Sequence, residues 1–347
     1  MKNRWRVALS LAILLGVAVS LQGKDPADGA TRTGGKVSKK INDISDTVLR
    51  FNIRIKTLGG KQFWTDYLVQ HPWRIQRHVV SNHYRLLNDD NYRHAWGTFV
   101  QCKKSLEEIN KQEKLSPLKG TVVLLLHGLG RTRGSMEELR KHLDKQPGFT
   151  AISLSYASTR ASLEQHARAL ANVIKNIPQE TEIYVVGHSM GNLEVRYYLS
   201  RAENADPRIK RIVMLAPPNQ GAALATLFKD NHVFQIFWGT SGEEIAVDWD
   251  KLARKLATPE CEFGIIAGGN IKSFFNNPLI KGEDDLVLRV EETRLAGARD
   301  FVIVPSYHGR IMNNSQTKSY TSRFLQKGYF VSESRRQPIL PDEAPQP

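Results

Sequence analysis

The sequence predicts an α/β protein, a mostly parallel sheet flanked by helices, with an N-terminal aromatic-rich extension in front of it. Three observations carry that expectation. Between Thr121 and Val304, short apolar runs alternate with segments of helical period, the pattern of parallel strands joined by crossover helices. Several of these runs are apolar at successive positions, as strands buried on both faces are. One of them, Glu182 to Val186, leads into Gly187-His188-Ser189-Met190-Gly191, where a strand would turn sharply into a helix.

The 347 residues, 41% hydrophobic and 24% charged, suffice for one large α/β domain with additions. Met1 to Arg6 is basic and Val7 to Leu21 carries no charge, the form of an export signal, with Ala18 and Ser20 as small residues for cleavage. The uncharged run extends to Gly23 and meets the lower length limit of a membrane span. Residues 1–23 therefore read as a signal peptide or a membrane anchor, and the protein as exported, periplasmic or secreted, or held at the membrane by residues 7–23. No cysteine follows the run, which argues against a lipoprotein anchor.

Residues 24–40, rich in Gly, Lys, Asp and Thr, read as a flexible linker. Residues 41–118 form an extension lobe, with a strand candidate at Val48–Ile55. Its aromatics, among them Phe63, Trp64, Tyr67, Trp73, Tyr84, Tyr92 and Trp96, read as packing residues. Residues 119–330 carry the α/β domain, and 331–347 a disordered tail. Thr121–Leu126 is its first strand. A helix is expected from Ser135, where Ser135 and Glu138 have capping-box spacing and Met136, Leu139 and Leu143 share a face. Thr150–Leu154 is the next strand, and Ser162 opens a helix with Leu163, Ala167, Leu170 and Ile174 on one side. After the Ser189 strand and its helix come strands at Ile212–Leu215, Glu262–Ala267 and Phe301–Val304. The interval from Ala222 to Pro259, with Leu227, Phe228, Phe234, Phe237 and Trp238, suits either a lid or an ordinary crossover helix.

A formal charge of +14 suits a surface that meets anionic membranes or polyanions, and equally a simply soluble basic protein. There is no Cys/His finger and no RNP-type strand, so nucleic acid is not an expected partner. Two cysteines, Cys102 and Cys261, suffice for one disulfide after export, though their spacing does not tell whether they meet. Two cysteines and scattered histidines give no metal set.

Gly-x-Ser-x-Gly alone decides little, because glycine and serine are common enough for a chance match roughly one time in ten. Its placement decides more. A serine hydroxyl is a weak nucleophile that needs a base, and the base needs an orienting acid. With the serine on a strand-to-helix elbow, the order along the chain is serine, acid, histidine. Beyond Ser189 the histidines are His232 and His308. His308 follows the last strand at the sheet edge that faces the elbow, whereas His232 falls in the polar middle of the 222–259 interval. The acid belongs in Gly282-Glu283-Asp284-Asp285, where two aspartates compete.

These residues together resemble the α/β-hydrolase superfamily, and specifically bacterial esterases and lipases of the lipase-class-2 type, over residues 120–325. That resemblance implies an α/β-hydrolase fold. Counting back from Glu292-Thr293-Arg294-Leu295, it places the acid on Asp285, with Leu286 where the family usually has glycine. It assigns the oxyanion hole to the N–H groups of Leu129 and Met190 and makes His127 structural. Asn192 stands where many relatives have a further glycine, a difference expected to bear on helix packing. The expectation is an ester hydrolase with Ser189, Asp285 and His308 as catalytic triad, no cofactor, and an ester or lipid substrate, with peripheral contact to an anionic membrane. An amidase, thioesterase or acyltransferase could use the same triad, and a binding protein could keep the fold without the chemistry.

Overall fold

The extension is built from short strands rich in aromatic and β-branched residues, joined by tight turns. The computed structural model describes residues 54–57, 62–115, 118, 120–201, 203, 206–221, 249–269 and 282–342, all within the compact unit Asn52–Pro347. Strands β1 (Ile55–Lys56), β2 (Trp64–Gln70), β3 (Trp73–His78), β4 (Tyr84–Leu87) and β5 (Tyr92–Gly97) pair antiparallel in the order β1-β5-β4-β3-β2. Asn82 and Asn91 take positive φ in the β3–β4 and β4–β5 turns, a conformation that asparagine tolerates. Helix α1 (Phe99–Glu113) starts at a reciprocal cap between Thr98 and Gln101 and covers one face of this sheet, over Leu68, Trp73, Ile75, Leu86 and Ala95. Of the Val48–Ile55 strand candidate, all but the last two residues lie outside the described residues.

The second sheet follows the expected alternation: β6 (Thr121–Leu126), α2 (Glu137–Asp144), β7 (Phe149–Ser153), α3 (Leu163–Lys175), β8 (Glu182–His188), α4 (Met190–Leu199), β9 (Ile209–Leu215), α5 (Trp249–Ala253), β10 (Glu262–Gly269), β11 (Asp300–Pro305) and α6 (Ser315–Lys327). Its six strands are all parallel, in the order β11-β10-β9-β8-β6-β7. The chain winds outward from β6 to β7, then crosses back to place β8 on the other side of β6. Neighbouring strands whose connections depart in opposite directions leave a crevice at their carboxyl ends, where sites form in open α/β sheets. Ser189 follows directly on β8, at that crevice.

Successive residues of the apolar strands serve opposite faces. Val122, Leu124 and Leu126 join one core with α3 and α4, and Val123 and Leu125 join the other with α2 and α6. That double duty is why β6 reads as an unbroken apolar run. Val69 of β2 belongs to the α3/α4 core, so the extension shares the hydrophobic interior of the main domain.

Two expectations are corrected. Ser135 does not cap a helix: it lies inside a 3₁₀ turn, Arg133–Met136, and its hydroxyl donates to Thr132 O at 2.8 Å, while α2 begins at Glu137 without a side-chain cap. The tail is not disordered over residues 331–342. Ile339 is buried and exchanges backbone hydrogen bonds with Gly297 and Ala298, and the buried carboxylate of Asp300 accepts from the N–H groups of Phe330 and Gln337. A polar composition there concealed one apolar anchor and one backbone clamp. Cys102 is on the buried face of α1, Cys261 borders the main core, and both are free thiols. The leader, the linker and residues 222–248, which include His232, lie outside the described residues. No described helix is long and apolar enough to cross a membrane.

Candidate active site

Strand β8 ends at His188 and helix α4 begins at Met190, so Ser189 alone makes the turn. It does so with φ 52° and ψ −124°, a strained backbone for a residue with a side chain. Its neighbours have to be glycine for lack of space. A methyl on Gly187 would stand 2.3 Å from Asn192 Oδ1, and one on Gly191 would stand 2.8 Å from His127 O. Asn192 fills the place of a further glycine and holds the turn: its Nδ2 donates to Ser189 O at 3.1 Å and Leu215 O at 3.2 Å.

The structure brings three of the expected side chains into one line. Ser189 Oγ and His308 Nε2 are 2.9 Å apart, and His308 Nδ1 and Asp285 Oδ2 are 2.8 Å apart. His308 sits at the start of the 3₁₀ turn that follows β11, and its own N–H donates to Asp285 O. Asp285 is 1% exposed, and its second oxygen accepts from the N–H groups of Val287 and Leu288 at 3.0 and 2.8 Å. Those bonds fix the carboxylate in place. Asp284 faces elsewhere, its Oδ1 accepting from Leu286 N at 2.7 Å. Leu286 adopts φ 78°, so the turn keeps the left-handed geometry that a glycine would adopt without strain.

The loop after β6 passes against the elbow, where a methyl at Gly128 would come within 3.1 Å of Ser189 Cβ. Leu129 follows it. Met190 is the first residue of α4, so its N–H belongs to the set a helix leaves without an intrahelical acceptor. Among the described residues, neither the Leu129 nor the Met190 N–H has an acceptor.

Two parts of the site escaped the sequence reading. His188, the variable residue of the motif, donates from Nε2 to His308 O at 3.0 Å and so fixes the backbone that carries the candidate base. Burial, with His308 next in effect, holds its imidazole well below the usual range, hence neutral. The second part is a buried polar line beneath the Gly128 loop. Tyr156 stacks on His127 at 3.9 Å and donates its hydroxyl to His127 O, and the Glu194 carboxyl is buried on the same line. Burial pushes Glu194 well above the carboxylate range, so its carboxyl is held neutral. No periodicity or motif marked His188, Tyr156 or Glu194; they emerge when the fold brings residues 127, 156 and 194 together.

The buried groups set a pH dependence. Burial lowers His127 to about 4 and His166 to about 3, both from 6.5. Their contribution is complete above about 6.5 and is lost as pH falls toward 4, at about 1.4 kcal/mol per pH unit for each histidine. Glu194 has the opposite sign: its contribution is complete below its ordinary 4.5 and declines as pH rises. Thermal melts are expected to show Tm falling from pH 6.5 to 4. Glu194→Gln should melt like the wild type near pH 4.5 and above it at pH 8; a variant less stable than the wild type at pH 8 would contradict the neutral carboxyl.

Strand order, elbow and crevice define an α/β-hydrolase fold. Comparison with known proteins agrees. The propeptide form of the Bacillus licheniformis lipase BlEst2 superposes with a TM-score of 0.50 at 16% identity, over 64% of this chain and 53% of that one. The mature form of the same lipase gives a TM-score of 0.48 at 18% identity, over 61% of this chain and 92% of that one. A putative chloroplastic methylesterase 12 of Arabidopsis thaliana is 31% identical over 102 residues, 26% of this chain and 29% of the relative, so the match spans under a third of that relative's length. A family model described as a domain of unknown function, DUF7379, matches residues 92–240, a span that contains Ser189 and stops short of Asp285 and His308.

Proposed function

We propose that the chain is a serine hydrolase that cleaves carboxylic esters through an acyl-enzyme. The observation that carries this reading is the line Ser189–His308–Asp285, with contacts of 2.9 and 2.8 Å, mounted on a strained elbow at the carboxyl edge of the sheet. Asp285 accepts a hydrogen bond from Nδ1–H of His308, which fixes the tautomer and leaves Nε2 as the base. Ser189 Oγ attacks the ester carbonyl carbon while Nε2 takes its proton, and the carbonyl π pair moves onto oxygen. The N–H groups of Leu129 and Met190 stabilise that oxyanion. Collapse expels the alcohol, which takes the proton back from Nε2. Water repeats the sequence on the acyl-enzyme and frees the acid and Ser189. No step calls for a cofactor.

Acyl or lipid esters are the substrate class proposed. The resemblance of residues 120–325 to lipase-class-2 esterases supports it, as do the apolar residues Leu227, Phe228, Phe234, Phe237 and Trp238 that follow β9 in the sequence. The test is p-nitrophenyl ester hydrolysis across acyl lengths, with mass spectrometric mapping of a fluorophosphonate label. Turnover together with a label on Ser189 is expected. No turnover, with no label or a label on another residue, would overturn the reading.

A further inference from the structure

Away from the elbow, the extension sheet carries a cavity of about 220 Å³ walled by Trp64, Trp96, His78, His83, Arg85 and Arg93, with Ser81 at its edge. The lining contains no acidic residue. Arg85 lies 4.0 Å from the Trp64 ring and Arg93 5.7 Å from the Trp96 ring, while His83 stacks on Trp96 at 5.5 Å. Neither arginine has a carboxylate ion pair among the described residues. Arg85 is 6% exposed and is held by Gln76, whose Oε1 accepts from its Nε at 3.0 Å and its Nη2 at 2.7 Å. Gln76 is itself fixed, donating to Asp66 Oδ1 at 2.7 Å. A guanidinium immobilised in this way loses little freedom when it binds. His78 accepts from Ser81 N on Nδ1, which leaves its proton on Nε2 as a donor.

The charges in this cavity oppose one another. Burial lowers Arg85 to about 10, with Asp66 behind Gln76 opposing the shift and Arg93 adding to it; burial, then Arg85 and His83, lowers His78. Like charges gathered at aromatic walls with no carboxylate in the lining form a site to which an anion brings relief. Guanidinium forks match the oxygens of a phosphate, and tryptophan faces match an apolar or ring-bearing substituent. The volume lies below the about 300–1,000 Å³ of drug-sized sites and suits a small headgroup.

We propose that this cavity binds a phosphate monoester, the phosphoryl group on Arg85 and Arg93 and the attached group between Trp64 and Trp96. The shared chemistry has two sources, a soluble phosphate ester and a lipid headgroup. The test titrates the full chain by calorimetry with phenyl phosphate and with inorganic phosphate at fixed ionic strength. In parallel, the chain is sedimented with phosphatidylcholine vesicles with and without phosphatidate. Arg93→Gln and Trp96→Ala alter partly exposed positions, and Lys111→Gln on α1 serves as control. Saturable binding of at least one probe is expected, weakened at least tenfold by Arg93→Gln and by Trp96→Ala and unchanged by Lys111→Gln. Tightest binding by phenyl phosphate would name the soluble source, and phosphatidate-dependent sedimentation lost in both variants the lipid one. Absence of saturable binding by every probe, or equal binding by wild type and both variants, would overturn the site.

Discussion

Ester turnover is expected to fall about 10⁶-fold in Ser189→Ala and about 10⁴-fold in Asp285→Asn, the scale that such removals have in other serine hydrolases. Asp284→Asn should change it by about twofold or less. The asymmetry follows from geometry. Asp285 Oδ2 accepts a hydrogen bond from the Nδ1–H of His308, whereas Asp284 bonds only its own turn. An asparagine at 285 offers an amide that can donate to Nδ1, which favours the proton on Nε2, and His308 can then no longer receive one from Ser189. Values of kcat/KM on p-nitrophenyl acetate, beside circular dichroism to check folding, decide the matter. A larger loss in Asp284→Asn than in Asp285→Asn would reverse the assignment of the acid.

Asp66→Ala is expected to cost about 3–5 kcal/mol of stability, the range for stranding one member of a buried ion pair. Asp66 and Arg74 are 1% and 3% exposed in their side chains and meet at 2.9 Å. The same carboxylate accepts from Gln76 Nε2 and from Ser155 N, so both lose their acceptor with the ion pair, while Arg74 Nη1 keeps Ser153 O at 3.3 Å. Asp89, 3.4 Å from Arg74 and half-exposed, offsets part of the loss. The double replacement Asp66→Leu with Arg74→Met should recover some stability, since no charge is then stranded, yet not all of it, because Gln76 and Ser155 N remain unpaired. Urea midpoints measure both. A single-variant loss below about 1 kcal/mol would mean that water reaches Arg74.

What the sequence disclosed depended on how locally each feature is encoded. The parallel strands were legible because a strand buried on both faces must be apolar at every position, as Val122 to Leu126 are. Helix α3 was legible because Leu163, Ala167, Leu170 and Ile174 repeat on one side. Ser189 and His308 could be named from motif and chain order, and Asp285 from a resemblance. The five-stranded extension sheet was not legible: a bulge between Asp66 and Leu68 breaks the period of two, and buried Arg74, Gln76 and Arg85 give β3 and β4 a polar look. Ser135 had the spacing of a cap, but it lies inside a 3₁₀ turn and its N–H and hydroxyl both bond back to Thr132 O. Tyr156 and Glu194 carry no local mark, since their pairing exists only after the chain has crossed the sheet.

The seam between extension and main domain bears on where a folding unit can be cut. Val69 lies in the α3/α4 core, and Asp66 holds Ser155 N just beyond β7. A fragment beginning at Gly120 would bare that core and strip Ser155 of its acceptor, one residue before the tyrosine beneath the Gly128 loop. The boundary of the matched family model, at residue 92, falls at the first residue of β5 and would part that strand from β4. Shared sequence pattern and independent folding thus end at different residues in this chain, and gene fusions or truncations guided by the former would divide a sheet.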